Sequence, residues 1–207
     1  MKAVFFDIDG TLLTDHRTVS KSTILAINQL KARGILVGLA TGRDPRFILQ
    51  YMASLGLDMA VAYNGQYVFT RDEVVFSQPI EKEDIDKMIA YAEKFQRDLS
   101  FGTALGVVGS GIMSMGTGNF AYRFSRMVPE VCAGFVNFIF NHIIRIVRPQ
   151  NKGSFNHLIT QPIYQMMLLT MEKEAQRLAE HFPQLTFTRS SPYATDIICK
   201  GNSKLIG

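Results

Sequence analysis

Apolar residues run along the first third of the chain in two alternating rhythms. Ala3-Val4-Phe5-Phe6 is a short unbroken apolar run of the kind found in strands buried on both faces, and it breaks off at Asp7-Ile8-Asp9-Gly10-Thr11. Ser20 then stands as a cap ahead of a helical stripe, Ile24, Ile27 and Leu30, with Gly34 placed to end it. Ile35 to Ala40 returns to the extended pattern and closes in Thr41-Gly42-Arg43. Asp44 before Pro45 predicts an N-cap with proline at the first helical position, and the helix runs to about Gly56. Met59 to Tyr63 reads as a third strand, ending at Asn64-Gly65. Strand, helix, strand, helix, strand predicts right-handed crossovers and a parallel sheet, with functional groups at the carboxyl ends of the strands.

Beyond Gly65 the rhythm changes. Gln66 to Phe69 and Val74 to Phe76 flank a turn at Arg71-Asp72 and predict an antiparallel hairpin. Ile85, Met88, Ile89, Ala92 and Phe95 keep helical spacing. The glycine-rich stretch from Gly102 to Gly118 has no assignable pattern. Ile163 to Thr170 reads as a strand, Lys173 to His181 as a helix, Leu185 to Thr188 as a strand, and Ala194 to Cys199 as a strand returning to the first unit. A second unit, 79–189, is therefore expected as an insertion in a first unit made of 1–78 and 190–207, with edges near Ser77 to Pro79 and Ser190 to Pro192. The Phe135, Phe138, Phe140 and Ile143 cluster is expected in the core of that second unit.

Composition narrows the class. A chain of 207 residues that is 47% hydrophobic and 19% charged is neither disordered, collagen-like nor coiled-coil. A net charge of +4 without any basic run suits anionic small molecules better than a nucleic-acid groove. Cys132 and Cys199 are far apart and have no Cys/His cluster around them, so neither a disulfide framework nor a zinc site is expected, and a reducing, cytoplasmic setting is the simplest fit. The apolar stretch after Met1 meets Asp7 and Asp9 too soon for a signal peptide. Val131 to Val147 is interrupted by Asn137, Asn141, His142 and Arg145, so it reads as an element of a soluble protein and not as a membrane span.

Two aspartates at i and i+2 on one strand point to one face, and at the strand's end they share a small volume. Two carboxylates so close invite either a divalent metal or a shared proton. Hard oxygen ligands favour Mg²⁺, which completes its shell with water and phosphate oxygens. Phosphoryl transfer uses such a pair, with Asp7 attacking phosphorus and Asp9 handling the leaving group's proton. Thr41 and Gly42 could hold a phosphoryl group at a helix N-terminus. Arg43 could reach substrate or form a salt bridge. Lys204 could set its ammonium against the nucleophile and the transferred phosphoryl. Asn64 either forms a turn or contacts substrate. His16, His142, His157 and His181 show no metal-ligand spacing.

Asp7-Ile8-Asp9-Gly10-Thr11-Leu12-Leu13, Ala40-Thr41-Gly42-Arg43, Asn64-Gly65 and Lys200-Gly201-Asn202-Ser203-Lys204 together resemble the haloacid dehalogenase superfamily, specifically its Cof-type phosphatases with a large cap. The resemblance implies an α/β fold, a Rossmann-like parallel-sheet core with an inserted α+β cap that closes over the site and chooses the substrate. It implies Asp7 as the nucleophile that becomes an aspartyl phosphate, Asp9 as general acid and base, Thr41 as the phosphate-binding hydroxyl and Lys204 as the third-motif lysine. It further implies Mg²⁺ on the Asp7 carboxylate and the Asp9 backbone carbonyl. The expected activity is Mg²⁺-dependent hydrolysis of small phosphorylated metabolites; the competing expectation is a phosphate-binding remnant without turnover. Family members continue to a fourth motif, Gly-Asp-x-x-Asn-Asp, which supplies a further metal carboxylate, whereas this sequence ends at Gly207, so a fragment or truncated product with an exposed sheet edge is expected.

Overall fold

The computed structural model of the chain describes residues 2–14, 17–95, 97–109, 161–170, 172–191 and 194–207. His16, Cys132, His142, His157, the phenylalanine cluster at 135–143 and most of the glycine-rich stretch lie outside the described residues.

The first sheet collects β1 (Ala3–Phe6), β2 (Leu36–Ala40), β3 (Met59–Ala62), β4 (Tyr67–Thr70) and β5 (Val74–Ser77) in that order. β1, β2 and β3 are parallel, joined by helices α1 (Lys21–Ala32) and α2 (Pro45–Leu55), and β3, β4 and β5 are antiparallel. The helix boundaries follow from local chemistry. Ser20 accepts from the Thr23 N–H (3.1 Å) and Asp44 from the Phe47 N–H (3.0 Å), each satisfying an amide that the first turn leaves unpaired. Gly56 ends α2 at φ 63°, a left-handed position that glycine takes without strain. Ile27, Leu39, Ile48 and Leu57 are fully buried between helices and sheet, each contributing about 1.5–3 kcal/mol of apolar burial.

β1 shows the exposed sheet edge expected from the sequence. It pairs with β2 alone and forms the edge of the sheet among the described residues, leaving Phe5 41% exposed.

The chain leaves the first sheet after Ser77 and builds a second one, entirely antiparallel, in the order β7 (Gly106–Gly109), β6 (Leu99–Thr103), β8 (Gln165–Leu169), β10 (Ala194–Cys199), β9 (Leu185–Ser191). One face packs on α3 (Lys82–Phe95) and α4 (Glu172–His181), burying Met88, Leu99, Phe101, Met166, Leu178 and Ile197 in one cluster. The opposite face is more polar: Ser100, Gln165 and Asp196 alternate with the inward residues and are themselves buried.

The strand Ala194–Cys199 corrects one expectation. It does not return to the first sheet; it lies between β8 and β9, with Ile197 opposite Met166 on one side and Phe187 on the other. Both of its edges are filled by neighbours in the second sheet, so the chain goes back to the first unit only after Cys199. Ser190 and Ser191 accordingly belong to β9 and not to a boundary.

Candidate active site

The β1–β2 register, with Phe6 opposite Leu39, carries Asp7 and Thr41 to the same carboxyl edge of the sheet. Asp7 is extended and opens a wide turn over Ile8–Leu12, closed by Leu12 N–H to Asp7 O (3.1 Å) and Leu13 N–H to Ile8 O (3.0 Å). Gly10 takes φ 77° in that turn, where an L side chain would be strained. Asp7 Oδ1 accepts from the Ile8 N–H (2.8 Å) and Asp7 Oδ2 accepts from Lys204 Nζ (2.7 Å), a pair 197 residues apart in sequence.

Asp9 is gripped from the second strand's end. Arg43 Nε and Nη2 donate to its two oxygens at 2.8 and 2.9 Å, a bidentate fork that fixes the carboxylate in orientation as well as position. The Arg43 guanidinium also lies over the Phe47 ring, 4.9 Å from its centroid. Burial opposes the charge on Arg43, yet the hydrogen bonds to Asp9 and the charges of Asp9, Asp44 and Asp196 outweigh it and raise its pKa above the ordinary arginine value. Of the two alternatives for Arg43, the structure shows the salt bridge.

Thr41 is buried, and its hydroxyl oxygen accepts from the Arg43 N–H (3.3 Å), leaving its own proton to donate. Asn64 occupies the turn conformation at φ 55°, next to Tyr63 at φ 49°. Two successive left-handed side-chain-bearing residues are costly and mark a position held by its surroundings. Asn64 Nδ2 donates to Gln165 Oε1 (3.2 Å), and its amide fills the space against Gly42 where a Cβ would stand only 3.0 Å away. Tyr63 reaches across to the second sheet, donating from its hydroxyl to Thr103 O (2.9 Å). Burial, followed by the nearby charge of Asp44 and the neighbouring tyrosines, pushes that phenol well above its ordinary pKa.

A cavity of about 340 Å³ opens beside this edge, lined by Asn64, Ser203 and Lys204 from the first unit and by Thr188 and Ile198 from the polar face of the second sheet. Asp7, Asp9, Thr41, Gly42, Arg43, Asn64 and Lys204 thus all lie along one edge. Gln66, Gln165 and Asn202 join them, three residues with no role expected from their sequence context. The available signal was polarity: Gln66 and Gln165 interrupt or open apolar strand segments where a solvent-facing amide has no place.

No three His, Cys, Asp or Glu side chains gather closely enough to hold a metal among the described residues. Each Asp7 oxygen carries one hydrogen bond and retains a lone pair for a cation. A hard carboxylate with open lone pairs is the kind of donor Mg²⁺ takes, most of its shell coming from water and phosphate oxygens.

Fold and edge together define an α/β protein that gathers these polar side chains at the carboxyl ends of parallel strands. The profile of the haloacid dehalogenase-like hydrolases matches residues 4–207. Among similar proteins is "Putative phosphatase YkrA" of Bacillus subtilis, 24% identical over 206 residues, which cover 100% of this chain and 71% of that protein. Another is "Putative bifunctional phosphatase/peptidyl-prolyl cis-trans isomerase" of Streptococcus pyogenes, 29% identical over 212 residues, covering 100% of this chain and 40% of that one. The solved structure of a haloacid dehalogenase subclass IIB sugar phosphatase superposes with TM-score 0.73 at 25% identity, over 100% of this chain and 73% of that one. The chain belongs to the haloacid dehalogenase-like hydrolases, on their phosphatase branch.

Proposed function

We propose that the chain hydrolyses small phosphorylated metabolites through an aspartyl phosphate on Asp7, with Mg²⁺ as cofactor. The observation that carries this reading is the Asp7–Lys204 pair (2.7 Å) at the strand edge that also holds Thr41. In the first step an Asp7 oxygen bonds to phosphorus while the bond to the leaving oxygen breaks, and Asp9 gives that oxygen its proton. In the second, water attacks the phosphorus of the acyl phosphate, Asp9 takes the proton, and phosphate leaves with Asp7 restored. Lys204 offsets negative charge on the transferring group, and the Thr41 hydroxyl donates to one of its oxygens. Arg43 holds the Asp9 carboxylate at this edge. The Asp7 carboxylate and the Asp9 backbone carbonyl would hold Mg²⁺, which when bound draws charge off the phosphoryl oxygens.

In this reading 79–199 is the cap and 1–78 with 200–207 the core, the polar sheet face supplies substrate contacts, and the leaving group occupies the cavity beside Asn64 and Thr188. Asn64 and Gly42 position the phosphoryl-binding loop. No helix among the described residues is long and apolar enough to cross a membrane. A second reading, phosphate binding without turnover, draws on the fact that both oxygens of Asp9 are already engaged by Arg43. Acid quenching during turnover of an aryl phosphate, followed by peptide mass spectrometry, separates the two. Hydrolysis predicts a phosphoryl group on the peptide bearing Asp7; bound phosphate with no modified peptide and no product supports the second reading.

A further inference from the structure

Gln66 is completely buried, yet it carries a primary amide, and the partners of that amide lie between the two sheets at Gln78, just before β8 at Tyr164, at the end of β10 at Cys199 and beyond it at Asn202. Its Nε2 donates to Gln78 O (3.0 Å), to Tyr164 O (2.9 Å) and toward the Cys199 sulfur (3.3 Å). Its Oε1 accepts from Asn202 Nδ2 (2.6 Å), and the other hydrogen on that nitrogen goes to Gln78 Oε1 (2.9 Å). The chain enters the second sheet past Gln78 and leaves it past Cys199, so one side chain of the first unit binds both crossings.

The same residues lead to Lys204. Gly65 stands at φ 103° with the Ser203 carbonyl so close that no Cβ fits between them. Gly65 and Gln66 therefore seat Ser203 and Asn202 side by side, and the next residue is the lysine on Asp7. Lys204 is about a third exposed and has a long flexible stem, so nothing in its own side chain fixes the ammonium over one carboxylate oxygen. The register of the backbone before it does.

We infer that the Gln66–Asn202–Gln78 amide cluster is a positioning device for Lys204, holding the Lys200–Lys204 loop so that the ammonium meets Asp7. The inference rests on the proposed role of the Asp7–Lys204 pair, and it adds positioning residues to that site.

Amine acylation tests this without any turnover. The protein is treated with a limiting acylating reagent and the rate at Lys204 is read by peptide mass spectrometry against exposed Lys82, for the wild type, Asn202→Ala, the near-isosteric Gln66→Met and Asp7→Asn. Pairing slows acylation, so Asp7→Asn sets the released rate. The cluster predicts that Asn202→Ala and Gln66→Met each move Lys204 toward that rate, roughly fivefold faster than the wild type, with Lys82 unchanged. Phosphate release from an aryl phosphate should fall roughly 10- to 100-fold in kcat with a smaller change in KM. An unchanged Lys204 rate in folded Asn202→Ala protein overturns the inference, and Asn202, being half-buried, leaves that variant decisive even if Gln66→Met fails to fold. A wild type that releases no phosphate but shows the acylation pattern would sink the hydrolase reading and leave the positioning cluster standing.

Discussion

Arg43→Lys keeps a positive charge beside Asp9 but loses the two-pronged grip at 2.8 and 2.9 Å. If Asp9 moves the leaving group's proton, kcat for an aryl phosphate should fall roughly 10- to 100-fold with KM less affected; an unchanged kcat would mean that the fork has no part in turnover. Gly65→Ala sets a Cβ against the Ser203 carbonyl at a left-handed backbone position, and urea unfolding should show a loss of about 1–3 kcal/mol. Equal stability would show that the loop gives way easily. At this scale the gathering of Asp7, Asp9, Thr41 and Lys204 at one sheet edge was legible because each closes a recognisable local pattern. The partner of Arg43 was not legible, since a salt bridge across 34 residues depends on where two strand ends meet. Gln66 and Asn202 escaped for the same reason: an amide declares its role only through its partners.

The elements of the first unit follow from local rules, and one of them is directly checkable. Asp44 caps α2, so Asp44→Ala should cost about 1 kcal/mol, seen as a lower urea midpoint at unchanged slope; a midpoint equal to wild type would mean that another group takes over the cap. The hairpin β4–β5, helices α3 and α4 and strand β8 were visible in periodicity to within a few residues. β10 was visible as a strand but was assigned to the wrong sheet. Ala-Thr-Asp-Ile-Ile-Cys has an apolar end and a polar start that suit either neighbour, and strand pairing across a sheet is set by non-local contacts that one segment does not carry. β1 stands at the edge of its sheet among the described residues, the exposed edge expected from the sequence.

Across the whole molecule, two sheets meet over one edge lined with charge, and tyrosines tie the second one together and to the first. Burial, then the Glu174 hydrogen bond and charge, hold the Tyr91 phenol up at about 12 against an ordinary 10.0, with Arg97 and Arg177 opposing. The folded state therefore keeps a proton that the unfolded chain loses first, so this contribution is complete below pH 10 and is lost as pH rises toward 12. Wild-type stability in urea should decline across that window more steeply than that of Tyr91→Phe, and parallel curves would show that Tyr91 does not couple to folding.

The central claim is that Asp7 is a nucleophile paired with Lys204 at a phosphoryl-transfer edge. Phosphate release from a generic aryl phosphate by the 207-residue chain, with Mg²⁺, with chelator, and beside Asp7→Asn, tests it most directly. The account predicts turnover that requires Mg²⁺ and falls by at least roughly 1,000-fold in Asp7→Asn. Turnover that survives in folded Asp7→Asn protein, or none from folded wild type with Mg²⁺, would contradict it.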